Sequence, residues 1–190
     1  MVINYKEILY AHEVLEAKHI ILRKFEINDS ADVFEFGSDE ETLKYLAWEG
    51  VKTSNEAKET IIDYYWSRPG IFAIELRENK KCIGCIDISI QPEHEKASFG
   101  YVLNRKYWGK GYMTEALNAI LDLSFNKLDL NRVESTHYMG NEGSGKVMIK
   151  CGMKLEGIGK QELKVKRVFR DVAHYGITKE LWSDNNLKER

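Results

Sequence analysis

Tyr101-Val102-Leu103-Asn104-Arg105-Lys106-Tyr107-Trp108-Gly109-Lys110-Gly111-Tyr112-Met113-Thr114-Glu115-Ala116 reads as the end of a strand, a tight turn holding two glycines, and the start of a helix. The helix declares itself by Met113, Ala116, Leu117, Ile120 and Leu121, spaced i, i+3, i+4, i+7 and i+8 as one apolar stripe facing a core. The first N–H groups of such a helix lack intrahelical acceptors and stand at the positive end of its dipole. An anion placed there satisfies them, provided that the backbone can come close, and residues without Cβ at 109 and 111 permit that approach. Alone, a Gly-x-Gly turn fits a plain strand-to-helix connection equally well.

Upstream of this turn the apolar residues follow a strand-like period. Segments 71–76, 82–90 and 98–103 read as three strands, joined by polar turns such as Glu78-Asn79-Lys80-Lys81, and such short connections imply antiparallel hairpins. Earlier still, His19-Ile20-Ile21-Leu22-Arg23 reads as a first strand. Asn28-Asp29-Ser30 offers a helix cap, and Thr53-Ser54-Asn55-Glu56 offers a second one, opening a helix with Ala57, Ile61, Ile62 and Tyr65 on one side. Downstream come a strand at 132–138, a short helix ending at Gly152, and two late strands near 164–169 and 172–178. Helices, then a meander, then alternating strand and helix make an α+β fold with one mixed, mostly antiparallel central sheet flanked by helices.

Composition bounds the function. A chain of 190 residues with 43% hydrophobic and 31% charged residues has material for one globular core. Its net charge of −2 argues against a general nucleic-acid or membrane-surface binder, which would carry a basic excess. No apolar run approaches the roughly 20 residues of a membrane span, and the N-terminus has no signal-peptide pattern, so a cytoplasmic location is expected. Cys82, Cys85 and Cys151 give no disulfide framework. Cys82-x-x-Cys85 lies inside a strand with no second pair, which favours buried thiols over a metal or redox centre, and the five histidines lack ligand spacing, so no metal is expected.

Gly140-Asn141-Glu142-Gly143-Ser144-Gly145-Lys146-Val147 nearly spells a nucleotide-binding P-loop. Val147 stands where the magnesium-binding hydroxyl belongs, and fewer than 45 residues follow, too few for the parallel strands and helices such a loop normally precedes.

The turn Lys106-Tyr107-Trp108-Gly109-Lys110-Gly111 resembles the acyl-CoA loop of the GNAT acetyltransferases, Gln/Arg-x-x-Gly-x-Gly/Ala, with Lys106 in place of Gln or Arg. The wording Tyr107-Trp108-Gly109-Lys110-Gly111-Tyr112-Met113-Thr114-Glu115-Ala116 is similar to the RimJ/RimL branch in particular. The resemblance covers roughly nine-tenths of the chain, dividing it into an extension (1–18) that could form a short helix or a loose arm, a GNAT domain (19–182) and a tail (183–190). It implies a central sheet splayed in the middle, with acetyl-CoA as cosubstrate held by Tyr101, Val102, Leu103, Trp108, Gly109, Lys110, Gly111, Tyr112, Met113, Thr114, Asn141 and Ser144.

By the same resemblance Asn141-x-x-Ser144 followed by Lys150-x-Gly152-Met153 matches the branch's late strand and helix. Asn141 would bond the pantetheine arm or a neighbouring backbone group, and Ser144 would sit beside the cofactor sulfur as the catalytic acid, unless it serves as a helix cap. Many members carry a tyrosine acid seven positions after the asparagine; here that position is Met148. For the general base, Glu162 is the first candidate, with Asp87, Asp171 and His137 beside it. Glu162 has a solvated alternative among Lys160, Lys164, Lys166 and Arg167, and Asp171 could instead staple the last hairpin.

The implied reaction is acetyl transfer to a primary amine, with a protein N-terminus of the ribosomal type as the branch's acceptor. A small-molecule amine acetyltransferase and a non-catalytic acyl-CoA-binding module are the alternatives. Trp48, Tyr64, Tyr65 and Trp66 lie on early helices that would wall the acceptor groove or simply pack. No direct nucleic-acid or membrane partner is expected, and a homodimer is compatible with the branch.

Overall fold

The computed structural model describes residues 3–188. Its strands are β1 (Leu15–Glu16), β2 (Ile20–Arg23), β3 (Ile71–Leu76), β4 (Cys82–Gln91), β5 (Lys96–Leu103), β6 (Arg132–Tyr138), β7 (Lys154–Val165) and β8 (Val168–Thr178). They form one sheet in the order β1-β2-β3-β4-β5-β6-β8-β7, antiparallel throughout except for the β5–β6 pair. The helices are α1 (Tyr5–Ala11), α2 (Ser30–Gly37), α3 (Glu40–Leu43), α4 (Ser54–Thr60), α5 (Tyr112–Asp122), α6 (Glu142–Lys150) and α7 (Lys179–Lys188). This is the mixed, mostly antiparallel α+β sheet with flanking helices that the alternation of periods predicted.

Helices cover both faces of the sheet, so β3 is buried at all but Glu75 and β4 is buried from Cys82 to Ile88 at all but Asp87. On one face α5 buries the expected stripe, Met113, Ala116, Leu117, Ile120 and Leu121, against Phe99, Leu103 and Val133. On the other, Val33 and Phe36 of α2 and Ala57 of α4 pack on Ile71, Ala73 and Cys85. Thr53 caps α4 by accepting the Glu56 N–H (3.1 Å), while the Glu56 carboxylate accepts the Lys52 N–H (2.7 Å). Beyond α4 the helix widens into a π-helical turn over Ile61–Tyr65. That extra residue per turn shifts the register, which leaves Ile62 half exposed instead of on the buried stripe with Ala57, Ile61 and Tyr65.

Other elements refine the sequence expectations. Of the two forms open to the extension the structure has the short helix: α1 sends Leu9 into the main core, and β1 pairs with β2 at the sheet's edge. Helix α7 follows β8 directly, from Lys179. The strand expected near 164–169 is two strands, because Lys166 and Arg167 both adopt positive φ (46° and 67°) and turn β7 into β8. Helix α3 was not foreseen; Asp39 caps it by accepting the Thr42 N–H (2.8 Å). The thiols of Cys82, Cys85 and Cys151 are all buried and shifted upward by that burial, as inert core groups are. No trio of metal-ligating side chains occurs among the described residues.

Candidate active site

The glycine turn is held from both sides. Asn104, almost fully buried, accepts the Lys106 N–H (3.0 Å) and donates to Glu35 of α2 (3.1 Å), and Lys106 Nζ donates to the same carboxylate (2.7 Å). Trp108 lays its indole back on β5, donating from Nε1 to the Leu103 carbonyl (2.7 Å). Gly109 and Gly111 sit at φ 74° and 89°, a region that costs an ordinary L-residue roughly 1–2 kcal/mol. A Cβ at either glycine would meet nothing within 4 Å, so the turn opens onto free space. Helix α5 has no side-chain cap, and its first intrahelical acceptor is Gly111 O, taken by the Glu115 N–H (3.0 Å). The N–H groups of Tyr112, Met113 and Thr114 therefore precede the ladder and face the open turn. That set of donors, on an eleven-residue helix, fits a pyrophosphate.

Beside the turn, β5 and β6 part company. Their parallel ladder runs only through Lys96–Arg132, Ala97–Val133 and Ser98–Glu134, after which the strands separate. Ser135 Oγ donates to the Phe99 carbonyl (2.7 Å), and Trp108 takes the Leu103 carbonyl, so the outward groups of these alternate β5 residues face the gap. Strand alternation turns the main-chain N–H and C=O of Tyr101, midway between them, into the same gap. Gly84 of β4 allows β5 this course, since a Cβ there would strike the Val102 carbonyl oxygen.

Three cavities meet at Tyr101. The first, about 530 Å³, opens between β5, the glycine turn and α6. Of the residues expected to hold the cosubstrate, Tyr101, Val102, Leu103, Trp108, Gly109, Met113, Asn141 and Ser144 line it; Lys110, Gly111, Tyr112 and Thr114 continue the turn and first helical turn alongside. Thr42 adds a buried Oγ1 without a hydrogen-bond partner to the same wall. The second cavity, about 580 Å³, lies on the α4 side against Tyr64, Tyr65 and Asp87. The third, about 430 Å³, follows β6 and β8 past His137 and His174. Tyr101 and Leu46 belong to all three linings.

Asn141 and Ser144 have divided the capping role differently from the sequence expectation. Asn141 is the N-cap of α6, its Oδ1 accepting the Ser144 N–H (3.4 Å), so the neighbouring backbone group is what it bonds here. Ser144 lies within the first turn, where its carbonyl accepts the Tyr101 phenol (3.2 Å), and it borders both the first and third cavities. Burial pushes that phenol up to about 12. Gly145 lets α6 lie close on β6 and β8, since a Cβ would approach His137 Nε2 to 2.9 Å; the P-loop look-alike is thus a helix cap. Met148 is buried in the core, where no proton donor is offered.

The base candidates separate by place. Glu162 sits at an irregularity of the β7–β8 ladder, bonded to His174 Nε2 (2.7 Å), and lines none of the three cavities. Asp171 staples the hairpin, accepting Lys160 (2.7 Å) and the Gln161 N–H (2.9 Å), which hold its carboxyl below the usual range. His137 stacks on Tyr175 and has Nδ1 2.9 Å from the Tyr138 carbonyl oxygen, in the third cavity. Asp87 stands in the second cavity, opposite Gly100 in the ladder. Burial pushes its carboxyl up, against the pull of Arg68, whose Nη2 lies 2.6 Å away. Among the aromatic residues, Trp48, Tyr64 and Tyr65 line this cavity, whereas Trp66 donates to the Phe25 carbonyl (2.7 Å) outside it. Glu56, Glu59 and Asp63, also in its wall, escaped the sequence reading. Their spacing of three and four residues on one helix was the available signal.

Comparison with known proteins agrees with this geometry. Residues 19–154 match the acetyltransferase (GNAT) domain family. An uncharacterized N-acetyltransferase of Bacillus subtilis (strain 168), YnaD, is 32% identical over 169 residues, covering 89% of this chain and 99% of the relative. The solved GNAT-family acetyltransferase from Bacillus anthracis superposes with a TM-score of 0.80 at 30% identity, over 88% of this chain and 99% of that one. A ribosomal protein uS5-alanine N-acetyltransferase of Escherichia coli (strain K12) is 26% identical over 108 residues, 56% of each chain. With a bare helix start facing an open glycine turn, a splayed β5–β6 pair and this similarity over most of its length, the chain belongs to the GNAT family and is an acyl-CoA-dependent N-acyltransferase.

Proposed function

We propose that the chain transfers the acetyl group of acetyl-CoA to a primary amine, with the donor in the cavity beside α5 and α6 and the amine in the cavity beside α4. The observation that carries this reading is the convergence of both cavities on Tyr101, whose main chain faces the gap. The first-turn N–H groups of α5, with Gly109, Lys110 and Gly111, hold the pyrophosphate. The main chain of Tyr101 that faces the gap, flanked by Val102 and Leu103, with the Asn141 amide, holds the pantetheine arm.

In the reaction the neutral amine nitrogen forms a bond to the thioester carbonyl carbon, and the carbon–sulfur bond breaks. The Tyr101 N–H stabilises the oxyanion; one such donor typically contributes about 3 kcal/mol. Asp87 accepts the proton from the ammonium, directly or through water. Its position in the acceptor cavity and its raised affinity for a proton support this role, which Glu162, engaged with His174, fills less well. Ser144 Oγ–H gives a proton to the departing thiolate, supported by its place between the first and third cavities. The similarity to the RimJ/RimL branch and to the uS5-alanine enzyme supports a protein N-terminus as acceptor; the wall of the second cavity favours a small amine.

Thiol release from acetyl-CoA across a panel of primary amines and N-terminal peptides tests this reading. Release that requires an amine, with one N-acetylated product per thiol, is expected. Acetyl-CoA binding without release on any acceptor would overturn it.

A further inference from the structure

The acceptor cavity has a chemical signature of its own. Its wall contains four carboxylates, Glu56, Glu59, Asp63 and Asp87, and no lysine, arginine or histidine. Of these only Asp87 is paired with a cation, Arg68. Glu56 accepts the main-chain N–H of Lys52, Glu59 accepts the Asn55 amide (2.8 Å), and Asp63 has no ion-pair partner among the described residues. The chain as a whole is nearly balanced at −2, so this is a local excess beside the reacting gap.

A second observation is independent of charge. Tyr65 is 5% exposed and stacked face to face on Phe25 (3.9 Å, 10°), and its phenol lines the cavity without a hydrogen-bond partner among the described residues. That phenol is free to exchange a hydrogen bond with a polar ligand atom in the cavity. Trp48 and Tyr64 add aromatic surface suited to methylene chains and to cations. Tyr64 and Tyr65 belong to the π-helical turn, a distortion that recurs at binding sites.

From these features we infer that the acceptor is a small aliphatic polyamine, a di- or triamine whose reacting nitrogen approaches Asp87 and Tyr101 while a second ammonium is held by Glu59 and Asp63. This rests on the reading that the α4-side cavity takes the amine. A single ammonium, as on a peptide N-terminus with neutral side chains, would leave most of the anionic wall unmatched. A methylene chain with a second cation matches it, and a volume of about 580 Å³ is ample for such a molecule.

The test compares butylamine, 1,4-diaminobutane, spermidine and an Ala-Ala-Ala peptide as acceptors in thiol release at fixed ionic strength. The expected result is a kcat/KM for spermidine at least about tenfold above butylamine and the peptide, a preference that shrinks as salt rises. In Glu59→Gln/Asp63→Asn the KM for spermidine rises about tenfold and the preference ratio collapses. Equal use of butylamine or the peptide overturns the polyamine assignment while leaving the transferase reading in place. Calorimetric titration of spermidine into the CoA-saturated protein separates the two further. Binding that weakens in the double variant supports the assignment even where no thiol is released, and the absence of binding overturns it.

Discussion

In the proposed mechanism Asp87 and Ser144 carry the chemistry at the scale of single residues, and each has a distinct kinetic signature. Asp87→Asn removes the proton acceptor without changing the side chain's size and is expected to lower kcat/KM about a hundredfold or more. Burial raises the Asp87 carboxyl and the Arg68 guanidinium lowers it. Because the base works only when ionised, activity rises with pH through its titration. Arg68→Gln withdraws the lowering influence, so the acid limb of the kcat/KM profile should move to higher pH; a limb that stays in place would argue against Asp87. Ser144→Ala is expected to lower kcat about tenfold to a hundredfold at unchanged acetyl-CoA affinity, read by single-turnover kinetics beside equilibrium titration. The glycine turn offered an anion site from its residues, and the family resemblance carried by its wording and by Asn141-x-x-Ser144 made it a cosubstrate site. The three α4-side carboxylates read in the sequence as an ordinary solvated stripe, and the structure adds that this stripe, with Glu59 and Asp63 exposed, also borders the cavity. Glu162 illustrates a different limit, since strand register near an irregular ladder decides which way a side chain points.

At the scale of elements, the glycine turn depends on α2 through Glu35. Lys106, Lys81 and Asn104 hold the Glu35 carboxyl down at about 2, well below the ordinary carboxylate range, with burial opposing them. The stability this supplies is present above pH ~4.5 and is lost as the pH falls toward 2. Allowing for a side chain 30% exposed, it amounts to roughly 1 kcal/mol. Glu35→Gln should therefore lower stability in urea unfolding at pH 7 by about that amount, and the deficit should shrink at pH 3. Because the same contact fixes Lys106 and Asn104 at the turn, the KM for acetyl-CoA should rise several-fold. Most elements were legible from period and caps: the α5 stripe, the Thr53 cap of α4 and the β6 strand all stand as their residues suggest. What was illegible depended on tertiary contacts. Among these are the short helix α3 and the π-turn that swings Ile62 outward. The β7–β8 turn rests on two non-glycine residues, Lys166 and Arg167, at positive φ.

At the scale of the whole molecule, one splayed sheet separates two binding spaces and joins them at Tyr101. The α+β class followed from the order of periods and the splay from the family resemblance, whereas the place where the β5–β6 ladder ends, at Ser98–Glu134, comes from the three-dimensional structure. The proposed function puts the acyl donor at the bare N-terminus of α5, and everything proposed for the amine depends on that placement. Titration of acetyl-CoA into the wild-type protein and Gly111→Glu tests it most directly. The account predicts a loss of affinity of about a hundredfold or more, because a side chain and a negative charge would enter the open turn meant for the pyrophosphate. Gly111→Ala, which adds backbone strain without charge, should lose less, and circular dichroism should show both variants folded. Unchanged acetyl-CoA affinity in folded Gly111→Glu would contradict the account.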